Sequence, residues 1–183
     1  MRPTTISTLL FFFLVAPFAA FGGWIDKSGK ALPESDSRKA AGSFGAQLIF
    51  VRDEGELFKR WNTPSITVDV DTADHVEVNG AINAFVVFSG CKKDSAGNCS
   101  VAMRFRVLQP DGKVYAETPA MEVWEQKPAP PGTSLELSVQ YLKVVIEPND
   151  QLGKYTVQTQ VRDNNAQSVL QLSGRFTASK VAK

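Results

Sequence analysis

Apolar and polar residues alternate most regularly between Leu135 and Asp163. Leu135, Leu137, Val139 and Tyr141 form one apolar set, the period-two pattern of a strand with one buried face. At Tyr141–Leu142 the phase slips, and Leu142, Val144 and Ile146 become the apolar set. A strand with such a slip must bulge, bend or change sheets, because a one-residue shift carries every side chain to the other face. Pro148-Asn-Asp150 supplies a turn. Tyr155, Val157, Thr159 and Val161 then begin a second strand, with Thr156, Gln158, Gln160 and Arg162 outward. The stretch reads as one long hairpin.

The same reading places strands along most of the chain. Ala46–Val51 is a short apolar run fit for a first strand. Asp53 followed by Glu56 starts a helix with a capping-box pattern. Leu57, Phe58 and Trp61 fall on one face, Lys59 and Arg60 suit the C-terminal end, and Asn62 with Pro64 ends it. At about two turns this helix needs packing to persist, and it is expected to plug one end of the domain. Ile66–Val70 reads as a strand, and His75–Ser89 as one long strand or two, with Gly80 a candidate bulge. Ser100–Gln109 puts Val101, Met103, Phe105 and Val107 inward and Ala102, Arg104 and Arg106 outward. Pro110-Asp-Gly112 is turn chemistry. Lys113–Glu125 reads as an edge strand because Pro119 cannot sit in a central ladder. Lys127–Gly132 (KPAPPG) is a stiff connection, Asn164-Asn165 makes the last turn, and Ser168–Ala178 closes the domain. Many short strands separated by turn signals predict an all-β sandwich or barrel.

One octet carries a family resemblance. Asp150-Gln-Leu-Gly153-Lys-Tyr155-Thr-Val157 resembles the tyrosine corner of immunoglobulin-like domains, with strands matching in order over roughly Val76–Phe176. The resemblance implies an immunoglobulin-like antiparallel β-sandwich, here with one short N-terminal α-helix, and a Tyr155 hydroxyl bonded to nearby backbone. Val157 stands where antibody domains have a cysteine, and Met103 or Phe105 where they have a core tryptophan. The resemblance is therefore to the superfamily, including fibronectin-like sandwiches. Such folds host many unrelated functions.

The N-terminus changes how the cysteines are read. Arg2, the apolar run Leu9–Ala16 and the small-x-small sequence Ala20-Phe21-Gly22 read as a secretory signal over residues 1–22, cut before Gly23. Its apolar run is too short to span a bilayer, so no membrane span is expected after cleavage. Residues 23–43, rich in Gly, Ser and charge, read as a flexible arm, and 44–179 as the sandwich domain. Periplasmic or secreted localisation makes Cys91 and Cys99 a disulfide by default. The short loop CKKDSAGNC limits its entropic contribution to about 2.5 kcal/mol.

Candidate chemistry is sparse. With 20 Lys and Arg against 19 Asp and Glu, net charge is +1. The charges are interspersed rather than blocked, which argues against a nucleic-acid partner. The single His75 sits at a strand start in ADHVEV, where a structural role is expected rather than a triad. Ser89-Gly-Cys-Lys92 matches S-x-x-K without its companion motifs. Asp69, Asp71 and Asp74 are a weak Ca²⁺ candidate, and they read first as turn formers. No catalytic residue, metal or cofactor is expected. Asn98-Cys-Ser100 is formally a glycosylation acceptor.

The expected function is an exported, non-catalytic sandwich binding a protein partner or cell-envelope component. The edge segment Met121–Gly132, with Met121, Val123 and Trp124 as apolar anchors, is the expected surface. Alternatively, Trp124 packs on Pro128 or Pro130. A carbohydrate-binding module with Trp124 as platform stands second. A hydrolase using Glu117, Glu122 or Glu125 stands third.

Overall fold

A computed structural model describes Trp24, Ser28, Lys30 and residues 32–63, 70–131 and 134–181. The signal segment 1–22 and most of the Ile66–Val70 strand lie outside the described residues. Two sheets form a β-sandwich. One runs in the order β1 (Arg38–Ala41), β2 (Phe44–Val51), β4 (Ala81–Ser89), with β8 (Glu136–Leu137) and β9 (Leu142–Val145) both pairing β4. The other runs β3 (His75–Glu77), β11 (Ser168–Ser179), β10 (Gly153–Asp163), β5 (Asn98–Leu108), with β6 (Val114–Glu117) and β7 (Met121–Pro128) in series along β5. Pairing is antiparallel except between β3 and β11.

The core fills the space between the sheets. Leu48, Phe50, Val86 and Phe88 from the first sheet meet Met103, Phe105, Tyr155, Val157 and Phe176 from the second. Tyr155 is fully buried and stacks on Phe176 at 5.2 Å, 6° from parallel. Its hydroxyl donates to the Gln151 carbonyl at 2.8 Å, so the tyrosine corner is present. Tyr155→Phe removes only that hydrogen bond, and stability should fall by about 1 kcal/mol. An unchanged denaturant midpoint would show that the bond contributes nothing.

The central stretch folds differently from the expected hairpin. Leu137 pairs Val87 and Leu142 pairs Ala84, so residues 138–141 face only Phe85 and Val86 of β4. The two surplus residues keep parity, and the change of apolar set marks a segment buried on both sides, with Leu137 and Tyr141 in the cluster outside β4 and Leu142, Val144 and Ile146 toward the central core. Val139 is 60% exposed and Leu135 47% exposed, so of the first apolar set only Leu137 and Tyr141 are packed, on the outer side of β4. After Ile146 the chain crosses to the other sheet, and the hairpin partner of β10 is β11. Alternation identifies a strand but not its partner.

Three further expectations are corrected. Arg38–Ala41, expected within the arm 23–43, is β1 and pairs Ala41 with Phe44 across a two-residue turn. His75–Ser89 is two strands in different sheets, and Gly80 is the corner between them rather than a bulge. A Cβ there would lie 2.9 Å from the Glu77 carbonyl oxygen, closer than side chains approach. The helix α1 (Glu54–Trp61) does not plug an end. Asp53 caps it, accepting from Glu56 N–H at 2.8 Å, and its apolar face lies flat on the outer side of β4.

That placement explains β4, whose residues Ile82–Phe88 are all buried. Ile82, Ala84, Val86 and Phe88 face the central core. Phe85 and Val87 face a second cluster with Ile49, Val51, Leu57 and Leu137, onto which Trp24, Phe58, Trp61 and Tyr141 pack. Asn83, also on that side and fully buried, donates to the Arg52 carbonyl and to Glu54 Oε2, both at 3.0 Å. Glu54 also pairs with Lys143 at 3.0 Å. A hydrogen bond from its own backbone, then Lys143, holds the Glu54 carboxyl below the usual range. Trp24 docks here too, with Nε1 3.4 Å from the Lys39 carbonyl.

Candidate functional site

The outer face of the six-stranded sheet is built by strict alternation. Val101, Met103, Phe105 and Val107 of β5 are buried, so Arg104 and Arg106 point outward and are exposed. Tyr155, Val157, Thr159 and Val161 of β10 are buried, so Lys154, Gln158, Gln160 and Arg162 point outward. On β11, Leu170, Leu172 and Phe176 are buried, leaving Gln171 and Arg175 outside. Register then forms ranks across the sheet. Arg104, Gln160 and Gln171 lie opposite one another, as do Arg106, Gln158 and Ser173.

A shallow depression of about 200 Å³ sits on this face, lined by Arg104, Arg106, Glu117, Thr118, Gln158 and Gln160 among others. Arg106 pairs with Glu117, and Arg162 donates to Gln167. Among the described residues, no carboxylate lies within ion-pair distance of Arg104, Lys154 or Arg175. Folding therefore gathers cations that are interspersed in the sequence into a stripe. Strand alternation and register, which the linear spacing of charges does not record, bring them together.

The expected partner surface is placed differently from its reading. Val123 is 2% exposed and belongs to the core. Met121 and Trp124 pack against that core. Trp124 lies edge-on to Phe88 at 6.0 Å, and the Lys127 ammonium sits 5.4 Å above its ring. It is half-buried against the core rather than a free-standing platform. The three residues close the open side of the sandwich.

Trp124→Ala should lower stability by about 2 kcal/mol or more, read as a lower denaturant midpoint. A midpoint within experimental error of wild type would mean that the ring is not packed. The edge itself is protected. Val123 is surplus opposite Val101–Ala102, and a second surplus residue, near Gln126 (φ 43°), lies opposite Ser100. Bulges of this kind twist an edge away from strand addition.

The remaining candidates do not converge. Glu117 pairs Arg106 and Glu122 pairs Ala102. Four strand steps separate these rows, roughly 14 Å, beyond the carboxyl spacing of glycosidases. Asp71 and Asp74 border a cleft of about 230 Å³ whose lining includes Arg52 and Arg60. Asp69 lies outside the described residues, and among those described no metal-binding cluster forms. His75 has Nε2 2.7 Å from Ser179 Oγ, and no described carboxylate completes a triad.

Cys91 and Cys99 have Cα atoms 5.9 Å apart and sulfurs at bonding distance. A clamp beside them carried no sequence signal beyond a turn. Asp163 is fully buried, and its carboxylate accepts from the backbone N–H groups of Lys92 (2.7 Å), Asn165 (3.0 Å) and Ala166 (3.1 Å). Asn165 Nδ2 donates to the carbonyls of Lys92 and Asn98. The cysteine loop is thereby tied to the β10–β11 turn. At the opposite end, the Tyr115 hydroxyl lies 2.8 Å from Asp150 Oδ2 and 3.0 Å from the Val145 carbonyl. Burial, then the bond to Asp150, raises the Tyr115 phenol well above its ordinary range.

No protein-family model matches this chain, and no curated protein matches it. Solved structures show low likeness. The CARDB domain of a Pyrococcus furiosus protein in complex with di-metal ions is 14% identical, with a TM-score of 0.36 over 58% of this chain and 81% of that one. A family 123 glycoside hydrolase from Clostridium perfringens is 8% identical, with a TM-score of 0.38 over 76% of this chain and 28% of that one. The Pseudomonas fluorescens alkylpurine DNA glycosylase bound to DNA containing an abasic site analog is 11% identical, with a TM-score of 0.35 over 57% and 27%. The chain thus spans under a third of the two enzymes.

Proposed function

We propose that this protein is an exported, non-catalytic β-sandwich module that holds a cell-envelope or extracellular component on the outer face of its six-stranded sheet. One observation carries the reading, the asymmetry of the two sheets. The outer face of the five-stranded sheet is covered by α1, Trp24 and Tyr141. The outer face of the other sheet carries exposed Arg104, Arg106, Gln158, Gln171 and Arg175, with no described element packed over them. The signal-like N-terminus and the cysteine pair support a periplasmic or secreted setting. A broad shallow face with hydrogen-bonding groups spread across it suits holding an extended surface better than enclosing a small substrate.

The test is co-purification of native envelope material with the wild-type protein and with Arg104→Glu/Arg175→Glu, both verified as folded by circular dichroism. The double variant should lose what the wild type retains. Equal retention by both proteins would remove this face as the site.

A further inference from the structure

We infer that the component held on this face is a linear, carboxylate-bearing polysaccharide, lying along β10 between Lys154 and Arg162. The inference rests on the binding-module reading above and names the ligand class. It comes first from charge. Lys154, Arg162, Arg104, Arg106 and Arg175 share one face of three adjacent strands, and the acids placed on that face by register are Glu117 and Glu122 on one side and Glu77, opposite Ser179, at the β3 edge. Glu117 is engaged by Arg106. Glu122 sits at the far end, 3.4 Å from Asn164 Nδ2. Arg104, Lys154 and Arg175 are left without an anionic partner among the described residues. An arginine fork matches a carboxylate in geometry as well as charge.

Shape argues for a linear ligand. From Lys154 to Arg162 is eight strand steps, roughly 27 Å, and the stripe is only three strands across, about 10 Å. A small anion in the depression would meet only Arg104 and Arg106, whereas a chain with regularly spaced carboxylates also reaches Lys154, Arg162 and Arg175. The residues between the cations favour a sugar over an acidic protein. Gln158, Gln160 and Gln171 supply both amide donors and carbonyl acceptors, the pairing that hydroxyl groups need. Protein interfaces centre on buried aromatic and aliphatic anchors. The residues lining the depression offer none, because their only aromatic, Phe105, is 2% exposed. Stacking on a nucleobase or on the flat face of a neutral sugar lacks a platform for the same reason.

The experiment is calorimetric titration of the mature protein with polygalacturonate, dextran, poly-L-glutamate and duplex DNA at low ionic strength. Polygalacturonate should bind saturably, and dextran should not. Raising NaCl from 20 to 200 mM should weaken binding at least about tenfold. Arg104→Gln/Arg175→Gln should weaken it at least about tenfold, while Lys59→Gln on α1 should leave it unchanged. Poly-L-glutamate or DNA binding as tightly as polygalacturonate would overturn the polysaccharide assignment. Failure of polygalacturonate to bind would overturn it too. The binding-module reading falls only if retention of native envelope material is also indifferent to the face.

Discussion

Phe85→Ala should destabilise the protein by about 4 kcal/mol, the middle of the range for truncating a buried aromatic, and should loosen α1 more than the central core. Phe85 is fully buried on the side of β4 that faces the helix. Its ring stacks on Tyr141 at 4.5 Å and meets Phe58 of α1 edge-on at 5.5 Å. The helix has eight residues, of which only Leu57 is fully buried, and a helix this short is held by packing rather than propensity. Removing the ring takes away the floor on which Phe58 and Tyr141 sit. Urea denaturation gives the total loss, and hydrogen exchange at the α1 amides shows where it falls. A loss below about 1 kcal/mol, outside the range for such a truncation, or protection at α1 unchanged, would refute this account of the second cluster.

Asp163→Ala should cost about 3 kcal/mol or more, because three backbone N–H groups lose a buried acceptor at once. The loss adds to the burial already invested in the β10–β11 turn, where the carboxylate is fully enclosed. Asp163→Asn keeps one carbonyl oxygen and should cost distinctly less. The midpoint should move while its denaturant slope stays constant, since the folded core is unaltered. Equal stability of the alanine variant and wild type would mean that solvent satisfies those amides. The variant also bears on the cysteine loop. Lys92 N–H is one of the three donors, so reduction of the Cys91–Cys99 bond should destabilise Asp163→Ala more than it destabilises wild type.

Together the two variants would test both devices that shape the candidate site. Covering one sheet with α1 leaves the other as the broad bare face. The Asp163 clamp fixes the end of β10 where the cationic stripe finishes at Arg162. The bulges of β7 guard the exposed edge of that same sheet against pairing with another chain.

Period-two alternation was legible wherever one face of a strand is buried. Residues 101–107 and 155–161 were assigned their inward and outward sets from sequence alone, and the burial pattern agrees except at Ala102, read as outward but buried. The helix cap at Asp53, the cysteine pair and the Tyr155 corner were legible too, since each depends on residues close in sequence. Strand partners were not legible. Backbone hydrogen bonds carry no residue identity, so Leu135–Ile146 looked like the partner of β10 although it pairs with β4 in the other sheet. The same blindness hid the role of Trp124, whose surroundings depend on Phe88, 36 positions away in the chain and in the facing sheet. It also hid the cationic stripe. Arg104, Lys154 and Arg175 are far apart in sequence and separated by acids. Only the pairing of β5 with β10 and of β10 with β11 brings them onto one face, because register is set by long-range packing that no local pattern records.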